Sequence, residues 1–117
     1  MESDRSEAAE NRTFAACVSY VRAHFCEPEL SMDTVCRVGY ISASGLQRAF
    51  HAQLGLSPKQ YLIKLRMNRA PELLAERTRS VKEVAFLCGF NDEKYFSGAF
   101  RQRYGYPPSR LAGNMTV

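Results

Sequence analysis

The sequence predicts an all-α protein: two helix-turn-helix subdomains joined by one long connecting helix. Apolar residues recur at three- and four-residue steps along most of the chain, and no strand-like alternation of any length interrupts them. Helix-capping serines and closing glycines punctuate those runs. One frame is also written twice: "GYISASGLQRAF", from Gly39 to Phe50, returns as "GFNDEKYFSGAF", from Gly89 to Phe100, with no slip.

Residues 1–12 are polar, charged and rich in Ala and Ser, and they are expected to form a linker or disordered tail. The first subdomain is expected over 13–56. From Thr13 a helical period gathers Phe14, Cys17, Val18, Val21 and Phe25, and Pro28 stops it. Ser31 caps a second helix of about two turns, reaching Val38, with Leu30 placed to staple onto Val35. A turn over Gly39, Tyr40 and Ile41 follows. Ser42 caps a third helix carrying Leu46, Ala49, Phe50 and Leu54 on one face, and Gly55 ends it.

The connecting helix, expected over 57–78, opens with Ser57-Pro58, a cap followed by proline at the first helical position. Tyr61, Leu62, Leu65, Ala70, Leu73 and Leu74 mark its course to about Arg77. The second subdomain, 79–112, repeats the first. Ser80 caps a helix with Val81, Val84, Ala85 and Leu87; Gly89-Phe90 turns; Asn91 or Asp92 caps a helix with Phe96, Ala99, Phe100 and Tyr104; Gly105 and Pro107-Pro108 close it. Residues 113–117 read as a tail. Shape decides what is tolerated at packing positions. The shared letters, such as Leu46/Phe96, Phe50/Phe100 and Gly55/Gly105, are therefore the core frame, and the unshared ones an outward face. Two repeats are too few for an α-solenoid, which needs about three or more.

At 117 residues and 45% hydrophobic content the chain can bury a modest core. No apolar run approaches the roughly 20 residues that span a bilayer, and "MESDRSEAAENR" lacks the basic and apolar regions of a secretory signal. Cys17, Cys26, Cys36 and Cys88 each lie in an apolar run, and none forms the close pairs of a zinc site. They are expected to be unpaired and buried, as in a reducing cytosol. Neither they nor His24 and His51 offer base–nucleophile or metal spacing, so no enzyme, metal or cofactor is expected. Charge is unevenly spread. Residues 1–33 are acidic on balance, while 34–71 hold Arg37, Arg48, Lys59, Lys64, Arg66 and Arg69 and no acid. Such a block suits a polyanionic partner.

The stretch "SVKEVAFLCGFNDEKYFSGAFRQRYGYPP", with Gly89-Phe90, Tyr95-Phe96, Phe100-Arg101, Tyr104-Gly105 and Pro108, resembles the DNA-binding domain of the AraC/XylS family of bacterial transcription regulators. Upstream, "SPKQYLIKLRMNRAPELL" is similar to the family's connecting helix through Tyr61, Arg66, Ala70 and Leu73-Leu74. The resemblance runs from Leu30 to Leu111. It implies about seven helices in a homeodomain-like arrangement, sequence-specific binding of double-stranded DNA, and a cytoplasmic, nucleoid-associated activator of transcription. The second short helix of each lobe would enter successive major grooves, each about 12 Å wide and about 34 Å apart. A monomer of this domain could then bind alone, with dimerisation left to a sensing domain outside this sequence.

The family's base-contacting positions fall on Ser44, Gln47 and Arg48 in the first lobe and on Glu93, Lys94 and Ser97 in the second. Arg reads guanine O6 and N7 as a fork, Gln reads adenine N6 and N7, and Glu accepts from cytosine N4. His51, Lys59, Arg101 and Arg103 are expected on the DNA backbone. Gly98, in the slot matching Arg48, reaches nothing, and Asp92-Glu93 suit a helix N-terminus but repel phosphates. The first lobe is therefore expected to do most of the reading. Two departures from the family stand out. Its first-turn glycine falls one residue later than Gly39, which puts Tyr40 in the turn position. Pro71 lies inside the connecting helix, so a kink near Met67–Pro71 or a helix broken in two is expected. The alternative function is a protein-interaction module that contacts RNA polymerase or another regulator with little direct base readout.

Overall fold

The computed structural model describes residues 2–112, with side chains from Asn11 on; the expected tail at 113–117 lies outside the described residues. Six α-helices and one 3-10 turn make up the fold, and no strand occurs among the described residues. The chain divides into two compact units. Unit 1 takes the chain to His24 together with Leu30–Leu62; unit 2 takes Phe25–Glu29 and the chain from Ile63 on.

Unit 1 holds α1 (Glu2–His24), α2 (Met32–Gly39) and α3 (Ala43–Leu54). α1 corrects the expected linker or disordered tail at 1–12, which is helical from Glu2. That segment has neither proline nor glycine, and its Ala, Glu and Arg residues are good helix formers that need no apolar face to extend a helix. The Ser31 hydroxyl accepts from the Thr34 amide at 3.3 Å and the Ser42 hydroxyl from the Gly45 amide at 3.1 Å, so both expected caps are made. Val21, Val35, Leu46 and Phe50 are buried together, with the Phe14 ring edge-on to Phe50 at 5.1 Å and Tyr61 tilted on it at 5.7 Å. Gly39 is buried in helical geometry, and a Cβ there would run into the Cys17 sulfur and crowd Thr13. Its glycine serves close approach, not a turn.

Unit 2 holds most of α4 (Pro58–Ala75), with α5 (Val81–Leu87), α6 (Glu93–Tyr104) and the 3-10 turn Pro108–Arg110. Its core is aromatic. Phe96 and Phe100 are fully buried, and the chain Phe90, Phe96, Phe100, Tyr104 meets at ring separations of 5.3, 5.9 and 4.6 Å. α4 opens on a reciprocal cap, in which the Ser57 amide donates to Gln60 Oε1 at 2.8 Å and the Gln60 amide donates to Ser57 Oγ at 3.0 Å. Ser80 and Glu83 repeat that capping box at the start of α5, and its hydrogen bonds hold the Glu83 carboxyl below the ordinary carboxylate range. Arg77 closes α4 in left-handed geometry, φ 59°, its amide donating to Leu74 O at 3.1 Å.

The helix broken in two at Met67–Pro71 is not what forms: α4 runs unbroken from Pro58 to Ala75 with Pro71 inside it. Pro71 has no N–H, so the Met67 carbonyl four residues earlier loses its helical donor. The Tyr104 hydroxyl on α6 donates to that oxygen instead, at 3.0 Å. One position on, Arg103 Nη2 donates to Asn68 Oδ1 at 2.7 Å. Burial of Met67 makes the substitution matter, because an orphaned buried carbonyl is costly.

The two turns also correct the slip-free frame. In unit 1 the left-handed residue is Tyr40, φ 51°, and the Ile41 amide closes the turn on Cys36 O at 3.0 Å. In the turn between α5 and α6 the positive-φ residue is Gly89, φ 103°, and the Phe90 amide closes on Ala85 O at 2.9 Å. The same six-to-one bond thus equates Tyr40 with Gly89, not Gly39 with Gly89. Helix α3 then starts at Ala43, three residues after Tyr40, and α6 at Glu93, four residues after Gly89.

Arg66, only 9% exposed, organises the other side of unit 2. Its Nε donates to Phe25 O at 2.7 Å, its Nη2 to Glu27 O at 3.0 Å, and its guanidinium lies 5.6 Å from the centre of the Phe90 ring. Burial draws its pKa below the ordinary guanidinium value, with Cys26, Tyr95 and Cys88 acting in the opposite direction. Arg nonetheless stays charged in proteins. Gly89 seats against this pair: a Cβ there would lie 2.5 Å from Phe25 O and 2.7 Å from Arg66 Nε.

Substitutions at these contacts have distinct expected costs. Tyr104→Phe should destabilise the protein by about 1–2 kcal/mol in urea unfolding, because Met67 O is left without a donor. In a Pro71→Ala background, where a backbone amide returns at that position, the cost should shrink by about half or more; an equal cost in both backgrounds would refute the assignment. Gly89→Ala should cost about 3 kcal/mol or more through its positive φ and the displaced Arg66 bond. Gly98→Ala, at a helix position with open space around it, should instead stabilise by about 1 kcal/mol.

Candidate nucleic-acid interface

Helix α3 buries Leu46 and Phe50, and the residues a helical half-turn away from them are left outside. Ser44, Gln47, Arg48 and His51 are all exposed on that side, so the structure brings the four candidates carried by α3 onto one polar surface of unit 1. Ser44 Oγ lies 3.4 Å from Ser42 Oγ, the N-cap hydroxyl. A groove of about 510 Å³ borders this face, lined by Tyr40 and Ser42 from the turn, Arg48 and Ala52 from α3, and Asn11 and Thr13 from α1. Lys59 is exposed in the first turn of α4, in the same unit. The N-terminal turn of α3 contains no acidic residue, so its amides and dipole present unopposed positive potential.

Helix α6 repeats the geometry with other contents. Phe96 and Phe100 are buried, and Glu93, Lys94, Gly98 and Arg101 are exposed while Ser97 is half-buried. Of the two capping candidates, Asp92 is the N-cap: its Oδ1 accepts from the Lys94 amide at 2.9 Å. That carboxylate is committed to the helix start. Arg101 and Arg103 stand in the last turn, where a cation suits the helix dipole. Arg103 is partly occupied by Asn68, and its guanidinium lies 5.6 Å from the centre of the Tyr104 ring.

Two residues on or beside these faces were not among the candidates. Gln102 is exposed four residues after Gly98, a spacing that places it on the outward side of α6. Tyr40 is 97% exposed at the rim of the α3 groove. The i, i+4 rule was enough to find Gln102. Tyr40 belongs to a turn, where periodicity gives no signal.

Cys17 and Cys88 are buried and Cys26 and Cys36 half-buried, all four as thiols. Burial pushes Cys88 up to about 12 and raises Cys17 as well, which keeps both protonated. Among the described residues no cluster of three His, Cys, Asp or Glu could hold a metal ion, and no helix is long and apolar enough to cross a membrane. His24 stacks on Tyr20 at 4.2 Å, both in α1.

Comparison with known proteins places these features in a family. A family model described as a helix-turn-helix domain matches residues 35–114. The chain is 35% identical over 92 residues to the probable transcriptional regulator LumQ of Photobacterium leiognathi, covering 79% of this chain and 37% of that protein. It is likewise 35% identical over 94 residues to the HTH-type transcriptional activator RhaS of Enterobacter sp. (strain 638), covering 80% and 34%. The chain thus spans about a third of the length of these curated relatives. Among solved structures it superposes on the DNA-binding domain of AdpA, a global transcriptional factor crystallised with a target DNA. That match has TM-score 0.78 and 31% identity and covers 86% of this chain and 90% of that one. An AraC-type regulator from Chromobacterium violaceum superposes with TM-score 0.74 at 28% identity, covering 92% and 96%. The chain belongs to the AraC/XylS-type helix-turn-helix family, a family of transcription regulators and not of enzymes.

Proposed function

We propose that this domain binds double-stranded DNA sequence-specifically, with α3 and α6 in successive major grooves, and that it regulates transcription from the bacterial nucleoid. The observation that carries the reading is the uncovered polar face of α3. Ser44, Gln47 and Arg48 stand exposed opposite a buried Leu46/Phe50 ridge, above a helix N-terminus without acids. A helix end of that kind attracts phosphate, and forked side chains on it can reach base edges. The likeness to a domain crystallised on DNA supports it.

The two lobes divide the work. Gln47 and Arg48 carry direct readout from the first. In the second, Asp92 is spent on its cap and Gly98 has no side chain, so Glu93, Lys94 and Ser97 read less while Arg101 and Arg103 hold the DNA backbone. His51 and Lys59 add backbone contacts in the first lobe. Base contacts specify and phosphate contacts position, so the two lobes should differ in kind as well as in strength.

One observation favours a second, compatible contact. On α5, Phe86 and Leu87 are 63% and 44% exposed, beside a groove also lined by Arg79, Lys82 and Glu83. An apolar surface of that kind suits a protein such as RNA polymerase or another regulator better than a nucleic acid.

Titration of labelled duplexes at several salt concentrations separates these roles. Arg48→Ala should lose about 1–3 kcal/mol on the preferred sequence and little on a scrambled one. Arg101→Ala should weaken both alike and flatten the salt slope by about 1. Identical behaviour of the two variants would overturn the division between lobes, and no salt dependence in the wild-type domain would favour the protein-binding alternative.

A further inference from the structure

We propose that Tyr40 is a DNA-backbone contact, its phenolic hydroxyl donating to a phosphate at the edge of the groove that receives α3; this rests on the DNA-binding reading above. Tyr40 sits at φ 51°, ψ 48°, in the left-handed region. A residue with a Cβ is strained there by about 1–2 kcal/mol relative to glycine. The matching turn residue of unit 2, defined by the same closing hydrogen bond, is Gly89, which carries no such strain. The fold therefore accepts glycine at this turn, and unit 1 places a tyrosine there instead.

Side-chain burial among the described residues does not offset that strain. The side chain is 97% exposed, so its ring buries almost no area against the fold. Residues held in unfavourable backbone geometry without internal compensation concentrate at binding and functional sites. The location narrows what is bound. Tyr40 stands two residues before the N-cap Ser42 and lines the same groove as Ser42, Gly45 and Arg48. The residues that project from α3 itself are the ones able to enter a major groove and meet base edges. A turn leading into that helix stays at the groove margin, where the phosphates run. The α3 N-terminus draws phosphate toward that margin.

The chemistry agrees. Tyrosine carries a neutral donor on a rigid stem and is among the side chains that hydrogen-bond DNA phosphates. A protein partner is a poorer match, because the groove that Tyr40 rims is mixed, setting the polar Asn11, Ser42, Arg48 and Gln53 among Phe14 and Ile41, where a protein contact favours a continuous apolar patch.

The test uses the whole chain with a preferred and a scrambled duplex, titrated at several salt concentrations, alongside thermal unfolding. Tyr40→Phe removes only the hydroxyl. It should melt as the wild type does, bind both duplexes about tenfold more weakly, and keep the wild-type salt slope, because a neutral donor releases no counterion. Tyr40→Gly should melt at a higher temperature than the wild type and still lose at least as much affinity as Tyr40→Phe. Wild-type affinity of Tyr40→Phe for both duplexes would overturn the proposal and leave the DNA-binding reading intact. A loss confined to the preferred duplex would also overturn it, since that is the signature of a base contact. A wild-type domain with no salt-dependent binding would overturn the DNA-binding reading and this proposal with it.

Discussion

The Met67 carbonyl needs a donor that its own helix cannot supply, and α6 meets that need. Pro71 removes the amide which would have closed the helical turn, and the Tyr104 hydroxyl replaces it from α6. The neighbouring Arg103–Asn68 bond ties the same two helices one residue further along. Also on α4, Arg66 gathers two carbonyls of the 25–29 segment and lies over Phe90, beside Gly89, which leaves room for it. α4 supplies its first turn to unit 1 and the rest to unit 2, so a break at Pro71 would cut into the core helix of the second unit. Its continuity is secured by side chains from outside the helix.

Tyr40 and Gly98 each weaken the fold at an outward position. Tyr40 strains a turn that would accept glycine, and Gly98 leaves a helix position empty where alanine has ample room. Both stand on the outward side of a helix-turn-helix, one at its turn and one on its second helix. Local rules of propensity fail most informatively at functional sites, where selection acts on something other than stability. The two lobes differ in opposite directions: the first carries a large polar-tipped side chain just before α3, and the second lacks one in the middle of α6.

How much of this was legible in the sequence follows the range of each interaction. The caps at Ser31, Ser42, Ser57 and Ser80 and the closing glycines Gly55 and Gly105 are local, set within one helical turn, and all were readable. The left-handed Tyr40 was readable because the family resemblance supplied the turn position. Letter matching, however, aligned Gly39 with Gly89, although one glycine admits a neighbouring helix and the other a positive φ. The fate of α4 at Pro71 was unreadable, because its rescue comes from Tyr104, 37 residues away, through a backbone oxygen that no sequence pattern marks. Arg66 was visible as a family letter and as one charge of the basic block, but its burial was not, since its partners are also carbonyls. The early start of α1 was missed because helix propensity without an apolar face looks like a tail. On the α3 and α6 faces, spacing placed the exposed residues well, since burial of Leu46/Phe50 and Phe96/Phe100 fixes which side remains outside.

The central claim is an asymmetry: one architecture built twice, with one lobe equipped to read bases and the other mainly to hold the backbone. Selection of bound duplexes from a random-sequence pool tests it most directly. The account predicts one strongly specified cluster of base pairs, assigned to Gln47 and Arg48 by its loss in the Arg48→Ala variant, and a weakly specified cluster about one helical turn away. Two clusters of equal information, or a single strong cluster that survives Arg48→Ala, would contradict it.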